Sequence, residues 1–518
     1  MLKRMLPLIA IILGFNFLLY YYFSTHKPDS RPALPANGII SSKLISVPMQ
    51  NDTLDDLVVF SSRDLKLSFS KKSGTMASWS LPGYLEADKH TPVNLLRSKP
   101  GFVGGGLVVR DKNGFLPLTL ESMTANGQPL TSPSFSVPPG GVILSVHYTF
   151  NGHPASVDYT LPADGFKVLV HVSNPDKLPL VFLPGLDFGM TDEVQSYGTE
   201  FQGPIYGTAS GKMNEFKKDQ AETFAPGLLS WVGNETKYFI GFLSLSGLPV
   251  STEIIKDKTS SLIRIGLPPG DVSFSMTGAP KRYSLLKNAD PGLVDTVDFG
   301  WFLFGRIYLV SFLAKFLFLI LSNLYAHMAN YGFAIIILTL FIKLLFSPLT
   351  YLSYRSMFQM QQLQPEIKKL QAKFKDDRQQ LNAAMMELYK ERRINPLGGC
   401  LPVLVQIPVF VALYNILNNT VELRQAPFLL WIHDLSQKDP YYIFPIIMGI
   451  TMIVQTRLTP STPDPMQKRI MMFMPVVMTF FFLNFPSGLV LYWIVNNVLT
   501  IGQQYFTMRY LFKTSPAR

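Results

Sequence analysis

Seven long apolar stretches mark the chain, and most of them approach the length of a membrane-spanning helix. The first covers residues 5–23, a run without any charge that follows Lys3 and Arg4. At about 1.5 Å per residue, a helix of this length nearly crosses a hydrocarbon core of about 30 Å. Because the run ends in bulky aromatic residues instead of the small residues of a cleavage site, we predict an uncleaved anchor.

A pattern of short alternations replaces these runs in residues 55–298. Apolar and polar residues alternate with a period of two at 65–69, 142–148 and 166–172, and Gly and Pro interrupt the alternation between such segments. This period is typical of half-buried β-strands, so we predict a soluble all-β domain built as a sandwich. Residues 24–54, which are rich in proline, predict a linker between the anchor and this domain.

The other apolar stretches follow the β domain. They cover residues 299–328, 331–346, 400–417, 441–454, 470–485 and 489–506. The stretch at 299–328 is interrupted by Arg306 and Lys315, so it can either cross the membrane or lie along its surface. If it crossed, the loop at 351–398, which carries nine basic residues, would lie outside the cell, against the positive-inside rule. We therefore predict an amphipathic helix in the outer interface, six spans, and both termini in the cytoplasm.

The basic loop at 351–398 contains two helical stripes of apolar residues. They recur every three or four positions, first at Met360, Leu363, Ile367, Leu370 and Phe374 and then at Leu381, Met385 and Leu388. Between the stripes, Asp377 with Gln380 three residues later is the capping-box pattern that begins a helix. We predict an antiparallel helical hairpin in the cytoplasm, followed by a flexible joint at 395–399.

Composition agrees with a membrane protein and excludes two other classes. Of the 518 residues, 47% are hydrophobic and only 16% are charged, which excludes a disordered chain. The single cysteine, Cys400, excludes a domain built on internal disulfides. Residues 301–518 hold 20 basic and 9 acidic residues, so the excess of positive charge lies between the apolar stretches. That position is typical of cytoplasmic loops, and we predict no direct binding of DNA.

No sequence motif indicates catalytic or metal chemistry. The seven histidines include no pair at the spacing of a helical metal site, and neither a P-loop, a nucleophile elbow nor a dinucleotide-binding glycine pattern occurs. Ser68 and Lys71 match a Ser-x-x-Lys motif, but they lie on an alternating strand, where a chance match is the stronger explanation. We therefore predict that the protein is not an enzyme and uses no cofactor or metal.

Polar residues inside the predicted spans are the most informative feature. Lys343 lies in the second span, where a central lysine costs about 2.5–3.5 kcal/mol, and Thr339 precedes it by one turn. Gln406, Asn496 and Thr500 lie in two later spans, so three spans can line one hydrophilic groove. Two alternatives stay open: the Lys343 amine can extend to the cytoplasmic interface, and Gln, Asn and Thr often only hold helices together.

Five motifs of the apolar half resemble the YidC family of membrane protein insertases. They are NPLGGCLP at 395–402, VELRQAPF at 421–428, WIHDL at 431–435, DPYY at 439–442 and FPSGLVLYW at 485–493. The resemblance covers about residues 330–510, and the β domain after the first span is similar in position and pattern to the periplasmic domain of Gram-negative members.

The resemblance implies a core of five spans around a hydrophilic groove that opens to the cytoplasm and to lipid, and a periplasmic β-supersandwich. It implies a protein that inserts, folds and assembles integral proteins of the bacterial inner membrane, alone or with the Sec translocon. Its partners would be nascent membrane proteins, the translating ribosome, targeting machinery and the lipid bilayer.

Two details of the resemblance bear on the site residues. The groove charge of the family is usually an arginine, and the matching position here is Lys343, which keeps the charge but lacks the planar fork of donors. We also expect the apolar part of a substrate to leave for lipid along exposed faces of the spans near Tyr492 and Trp493.

The sequence thus predicts a multi-span α-helical membrane protein with six transmembrane helices, five of them forming the insertase core, a large periplasmic all-β sandwich and a cytoplasmic helical hairpin. The predicted boundaries are 1–23 for the anchor, 24–54 for the linker, 55–298 for the β domain, 299–330 for the interfacial helix, 331–350, 399–417, 441–457, 469–485 and 489–508 for the later spans, 351–398 for the hairpin, 418–440 for a periplasmic loop, 458–468 for a cytoplasmic loop and 509–518 for the cytoplasmic tail.

Two other classes of protein stay open from the residues alone. A transporter or channel would need paired repeats with broken helices, and a membrane-anchored periplasmic enzyme would leave the later spans without a role.

Overall fold

The computed structural model describes residues 56–507 and 509, except 87, 97–104, 113, 192–200, 218, 257–259, 298, 303–304, 307, 375–376, 393, 395–400 and 460–464. The predicted anchor, the linker and the joint at 395–399 therefore lie outside the described residues. The chain divides into two compact units, Lys27–Val297 and Asp298–Arg518 with Met1–His26.

Three sheets make up the first unit. The five-stranded sheet has the order β4 (Pro92–Asn94), β3 (Met76–Leu85), β2 (Lys66–Ser70), β1 (Leu57–Ser61), β9 (Ser134–Ser136). The ten-stranded sheet has the order β15 (Met213–Glu215), β14 (Gly203–Thr208), β17 (Leu229–Glu235), β18 (Phe239–Ser244), β21 (Val272–Pro280), β12 (Lys167–Ser173), β11 (His153–Leu161), β10 (Val142–Phe150), β7 (Thr119–Ala125), β8 (Gln128–Pro129). The six-stranded sheet has the order β16 (Ala221–Phe224), β19 (Ser251–Lys256), β20 (Ser261–Gly266), β13 (Leu180–Leu183), β5 (Gly106–Asp111), β6 (Gly114–Pro117). Helix α1 (Tyr283–Ala289) and a 3₁₀ helix (Pro291–Thr296) follow the last strand.

The ten-stranded sheet packs on both smaller sheets through aromatic side chains. Trp79 of the five-stranded sheet donates its indole N–H to the Gly278 carbonyl of β21 at 2.9 Å. A Cβ on Gly278 would lie 2.5 Å from the Trp79 Nε1 atom, so only glycine permits this approach. Phe182 of the six-stranded sheet meets Phe274 of β21, with ring centroids 4.9 Å apart. The predicted all-β sandwich is confirmed.

The predicted alternation also appears strand by strand. Along β12, Val168, Val170 and Val172 are fully buried, while Lys167, Leu169 and His171 between them are exposed. Because successive side chains of a strand point to opposite faces, one face of β12 lines the core of the sandwich and the other contacts solvent.

A buried ion pair joins two strand ends of the ten-stranded sheet. Lys281, directly after β21, places its Nζ atom 2.8 Å from Oε2 of Glu235 and donates to the Thr236 carbonyl at 3.0 Å. The two charged side chains are only 5% and 4% exposed. Each charge therefore compensates the other away from solvent.

Helices dominate the described part of the second unit. They are α2 (Tyr308–Met328), α3 (Tyr331–Leu345), α4 (Ser347–Gln362), α5 (Gln364–Lys373), α6 (Arg378–Glu391), α7 (Leu401–Asn419), α8 (Ile443–Leu458), α9 (Pro465–Phe482) and α10 (Ser487–Phe506). A two-stranded ribbon, Trp301–Phe302 with Gly305–Arg306, precedes α2, and a 3₁₀ helix, Val421–Leu423, follows α7.

Length and composition show which of these described helices can cross a membrane. Helix α2 satisfies both criteria alone, and α3 with α4 satisfies them together as a pair bent by 61°. Helix α8 and the segments Leu404–Asn419 of α7 and Met471–Phe482 of α9 are apolar but shorter. The interfacial position of α2 and the count of six spans rest on the distribution of charge and stay predictions.

Within the basic loop, residues 351–362 belong to α4, and helices α5 and α6 follow. Asp377 caps α6, because its side chain accepts hydrogen bonds from the backbone N–H groups of Gln379 and Gln380, both at 2.9 Å. The two predicted stripes meet in one cluster around fully buried Ile367. Arg392 also donates to Glu366 at 2.9 Å across the helix pair. The start of the second helix at Asp377 is thus confirmed.

Candidate functional site

Lys343 is held between two helices. It lies in the last turn of α3, and its Nζ atom donates to Oγ1 of Thr500 on α10 at 2.7 Å. The Thr500 hydroxyl in turn donates to the backbone carbonyl of Asn496 at 2.6 Å, within the same helix. Of the described residues, no aspartate or glutamate pairs with Lys343. The chain thus keeps a positive charge among apolar helices without a carboxylate partner.

A small cavity lies beside this lysine. Lys343 and Gln406 of α7 both line it, together with Thr350 of α4. The rest of its wall consists of the apolar residues Ile342, Phe346, Leu349, Pro402 and Val405. The Nε2 atom of Gln406 is buried, and no described residue accepts a hydrogen bond from it. The cavity is therefore lined by one cationic side chain and one amide side chain, a pair suited to an anionic or carbonyl oxygen.

The structure brings together most of the five predicted groove residues. Lys343 and Thr500 contact each other, Gln406 shares the cavity, and Asn496 contributes its backbone carbonyl. Thr339 differs: it is 1% exposed, and its hydroxyl donates to the Ile335 carbonyl of its own helix at 2.6 Å. A hydroxyl bonded to the preceding turn is satisfied within the helix.

Three further polar residues reach the same region and were not predicted. Gln503 of α10 donates to the Ser347 hydroxyl at 3.3 Å, where α3 ends and α4 begins. The Tyr354 hydroxyl of α4 donates to the backbone carbonyl of Thr500 at 3.4 Å. Gln503 follows Thr500 by three residues, so its helical phase was a signal that could have identified it.

A face of α10 next to that of Thr500 makes polar contacts with α8 and the residue after it. Asn497 donates to the Thr451 hydroxyl at 3.0 Å, and Gln504 donates to the Thr459 hydroxyl at 3.5 Å. Hydrogen bonds of this kind hold membrane helices together. Packing thus accounts for these polar residues, whereas Lys343 and Gln406 keep donors that packing does not use.

The loop before α8 fixes the first turn of α10. The Ser487 N–H donates to the Gln437 carbonyl at 2.7 Å, and the Gly488 N–H donates to the Leu435 carbonyl at 3.0 Å. Asp439, which is 1% exposed, organises this loop by accepting from the Trp431 indole at 3.1 Å and from the Phe444 N–H at 2.7 Å. Helix α10 is therefore anchored at the end remote from Thr500.

The predicted substrate-contact residues require a correction. Tyr492 was expected on an exposed face, but its ring is only 1% exposed. Trp493 is half-buried, with its ring 5.3 Å from that of Phe410 and 5.1 Å from that of Phe482. Trp493 packs against the aromatic side chains of α7 and α9, which cover its side of α10. Among the large exposed apolar side chains of helix α9 are Phe473, Val477 and Phe480.

Comparison with known proteins defines the family. A family model for the 60Kd inner membrane protein matches residues 323–514, and a model for the YidC periplasmic domain matches residues 57–320. A protein of Geobacter metallireducens named membrane protein insertase YidC is 36% identical, over 96% of this chain and 97% of its own length. The chain belongs to the YidC family.

Two further YidC proteins are similar to this chain. A YidC of Geobacter sulfurreducens is 41% identical over 79% of this chain and 76% of its own length. A crystal structure titled as an active YidC insertase with its first transmembrane domain resolved covers 89% of this chain and 94% of its own, with 20% identity and a TM-score of 0.42. The resemblance to YidC and the periplasmic β-sandwich domain are confirmed, and the YidC family is one of inner membrane proteins.

Proposed function

We propose that the protein inserts integral membrane proteins into the bacterial inner membrane and assists their folding and assembly. One observation supports this most directly: Lys343 carries a charge among apolar helices, bonded to Thr500 and beside a cavity with a free amide donor. A positive charge kept at such a cost needs a role that a neutral residue does not fulfil. Membership of the YidC family, whose relatives are named membrane protein insertases, agrees with it.

The physical problem of insertion explains why such a groove is useful. Moving a polar flank across about 30 Å of hydrocarbon costs several kcal/mol of free energy for each polar group that has no hydrogen-bond partner there. Lys343, Gln406, Thr500 and Asn496 offer hydrogen bonds part of the way across, so the apolar distance becomes shorter. The lysine attracts acidic residues of the flank, while the apolar segment moves into lipid along exposed helix faces such as that of α9.

We propose further that this activity makes and breaks no covalent bond. The partition of the apolar segment into lipid supplies the driving force, and the membrane potential adds about 2.3 kcal/mol per charge moved through 100 mV. Neither a resident cofactor nor a metal ion is required for such a step.

The deciding experiment uses proteoliposomes that contain only this protein. A freshly synthesised small membrane protein is added, and its insertion is measured by protection of its exported part from protease. Insertion above the level of empty liposomes supports the proposal. Ion or solute flux without insertion would show a transporter, and activity of the β domain on a small molecule would show an anchored enzyme.

The proposed topology places the β domain and the loop at 418–440 in the periplasm and the hairpin and both termini in the cytoplasm. The nine basic residues of 351–398 against five acidic ones carry this proposal through the positive-inside rule. A cysteine in place of exposed Gln379, with Cys400 replaced by serine, should react with a membrane-impermeant reagent only after the cells are opened. Labelling in intact spheroplasts would contradict the topology.

The predicted hairpin at 351–398, which contains α5 and α6, is proposed to dock the translating ribosome or its targeting machinery, since the net charge of +4 over these residues suits ribosomal RNA. Its buried cluster around Ile367 lies within the hairpin region itself. Deletion of residues 362–392 should therefore leave a folded, inserted protein that inserts substrates poorly during translation. Loss of the protein from the membrane would show instead that the hairpin is structural.

Cooperation with the Sec translocon is proposed from the family resemblance.

A further inference from the structure

Thr500 is the residue through which α10 contacts both α3 and α4. Its hydroxyl accepts from Lys343 of α3, and its carbonyl accepts from Tyr354 of α4. We infer that Thr500 is a positioning residue that fixes the Lys343 ammonium against the cavity, where it meets carboxylate groups of the substrate. This inference rests on the proposed insertase function.

The hydroxyl of Thr500 can act only as an acceptor toward Lys343. A hydroxyl has a single hydrogen, and that of Thr500 is used in the 2.6 Å bond to the Asn496 carbonyl. Its lone pairs are left for the lysine, whose Nζ atom lies 2.7 Å away. An ammonium carries three N–H donors, so two of them stay available for an oxygen in the cavity beside the Gln406 amide.

A lysine needs such a partner more than most residues would. Its ammonium stands on four flexible methylene groups and is strongly hydrated, so without a fixed acceptor it extends toward water. Of the described residues, only Thr500 bonds to the Lys343 amine. One hydroxyl thus decides whether the charge stays beside the cavity or moves toward the interface.

The surroundings of Thr500 are themselves held in place. Helices α3 and α4 bend by 61° at Phe346, and α10 contacts them before, at and after the bend. These contacts join Lys343 to Thr500, Ser347 to Gln503 and Tyr354 to Thr500. The acceptor that positions Lys343 therefore lies where three helices are joined by hydrogen bonds, and not on a helix face without such contacts.

The test compares two variants of the full-length protein in proteoliposomes with two substrates. The substrates are one single-span protein with an acidic flank and the same protein with that flank neutralised. Thr500→Val keeps the shape of the side chain and removes the acceptor, so it should lower insertion of the acidic substrate by about three- to tenfold, the effect of one interhelical hydrogen bond in a membrane. The neutral substrate should change little, and Thr500→Ser should restore the wild-type ratio.

The ratio of the two substrates separates positioning from stability, because a loss of folded protein lowers both equally. Thr451→Val is the matched control: it removes a hydroxyl that accepts from Asn497 of α10 instead of from Lys343, so it should keep the ratio. In the Lys343→Ala background, Thr500→Val should have no further effect on the ratio. A wild-type ratio in Thr500→Val, or an additive double variant, overturns the inference alone. If the wild type inserts neither substrate, the proposed function fails first.

Discussion

Lys343→Glu should reduce insertion of a substrate with an acidic flank on the order of tenfold or more at an unchanged amount of protein. The substitution turns an attraction into a repulsion, and at the separations of a contact pair each is worth about 1–4 kcal/mol in a partly hydrated site. It also places an anion beside the Thr500 hydroxyl, whose hydrogen is already bonded to Asn496. Lys343→Arg keeps the charge and should retain activity, whereas Lys343→Ala should lose much of it.

The measurement is insertion of the acidic substrate and of its neutralised form by each variant. Only the acidic substrate should distinguish the wild type from Lys343→Ala. Equal insertion of both substrates by these two proteins would falsify the electrostatic role and leave the groove as a passive hydrophilic path. If Lys343→Ala made the protein more stable without any loss of activity, the electrostatic role would also be contradicted. The only effect of the substitution would then be to remove an energetically costly charge from the membrane.

The largest expected effect on stability lies in the β domain, at the ion pair of Lys281 and Glu235. Lys281→Met should lower the free energy of unfolding of the domain by about 3–5 kcal/mol, because it leaves the Glu235 carboxylate buried at 4% exposure without its cation. The readout is the temperature at which the β domain of the full-length protein becomes sensitive to limited proteolysis.

A double variant separates lost compensation from lost packing. Lys281→Met with Glu235→Leu removes both charges and should recover most of the loss, since an apolar pair of similar volume often matches a buried ion pair. Arg63→Ala is the control, because its contact with Asp164 at 3.9 Å is highly exposed and contributes little. If Lys281→Met were as mild as Arg63→Ala, the pair would not be compensating a buried charge.

The β domain shows what a sequence predicts well and what it does not. The alternation along β12 is visible in the residues, since one face of a strand is buried and the other is wet. The strands that neighbour β12 in the sheet cannot be identified in this way. Strand β12 pairs with β11, which is close in sequence, and with β21, which follows about a hundred residues later. Such pairing depends on the packing of whole sheets and leaves no local pattern.

The helical unit reverses this balance. The cost of an intramembrane charge drew attention to Lys343 in the sequence, and the structure bonds it to Thr500, another residue named from the sequence. The expectation of an exposed face near Tyr492 accompanied the family resemblance, and the structure buries Tyr492 itself. In a membrane the lipid is as apolar as the protein interior. The sequence therefore does not show whether an apolar residue of a spanning helix faces lipid or another helix. Only the packing of α10 against its neighbours decides between them.

The position of β21 in its sheet has a consequence for the order of biosynthesis. It is the last strand of the domain along the chain, yet it lies in the middle of the ten-stranded sheet, between β12 and β18. A nascent chain that ends before Val272 would present both of those strands with an unpaired edge, the kind of surface on which aggregation begins. The sheet can close only after Pro280, the last residue of β21, has been synthesised and moved across the membrane. Helix α2 begins shortly afterwards in the chain, at Tyr308. We therefore expect that a pause in translation between Pro280 and Tyr308 would favour correct closure of the sheet.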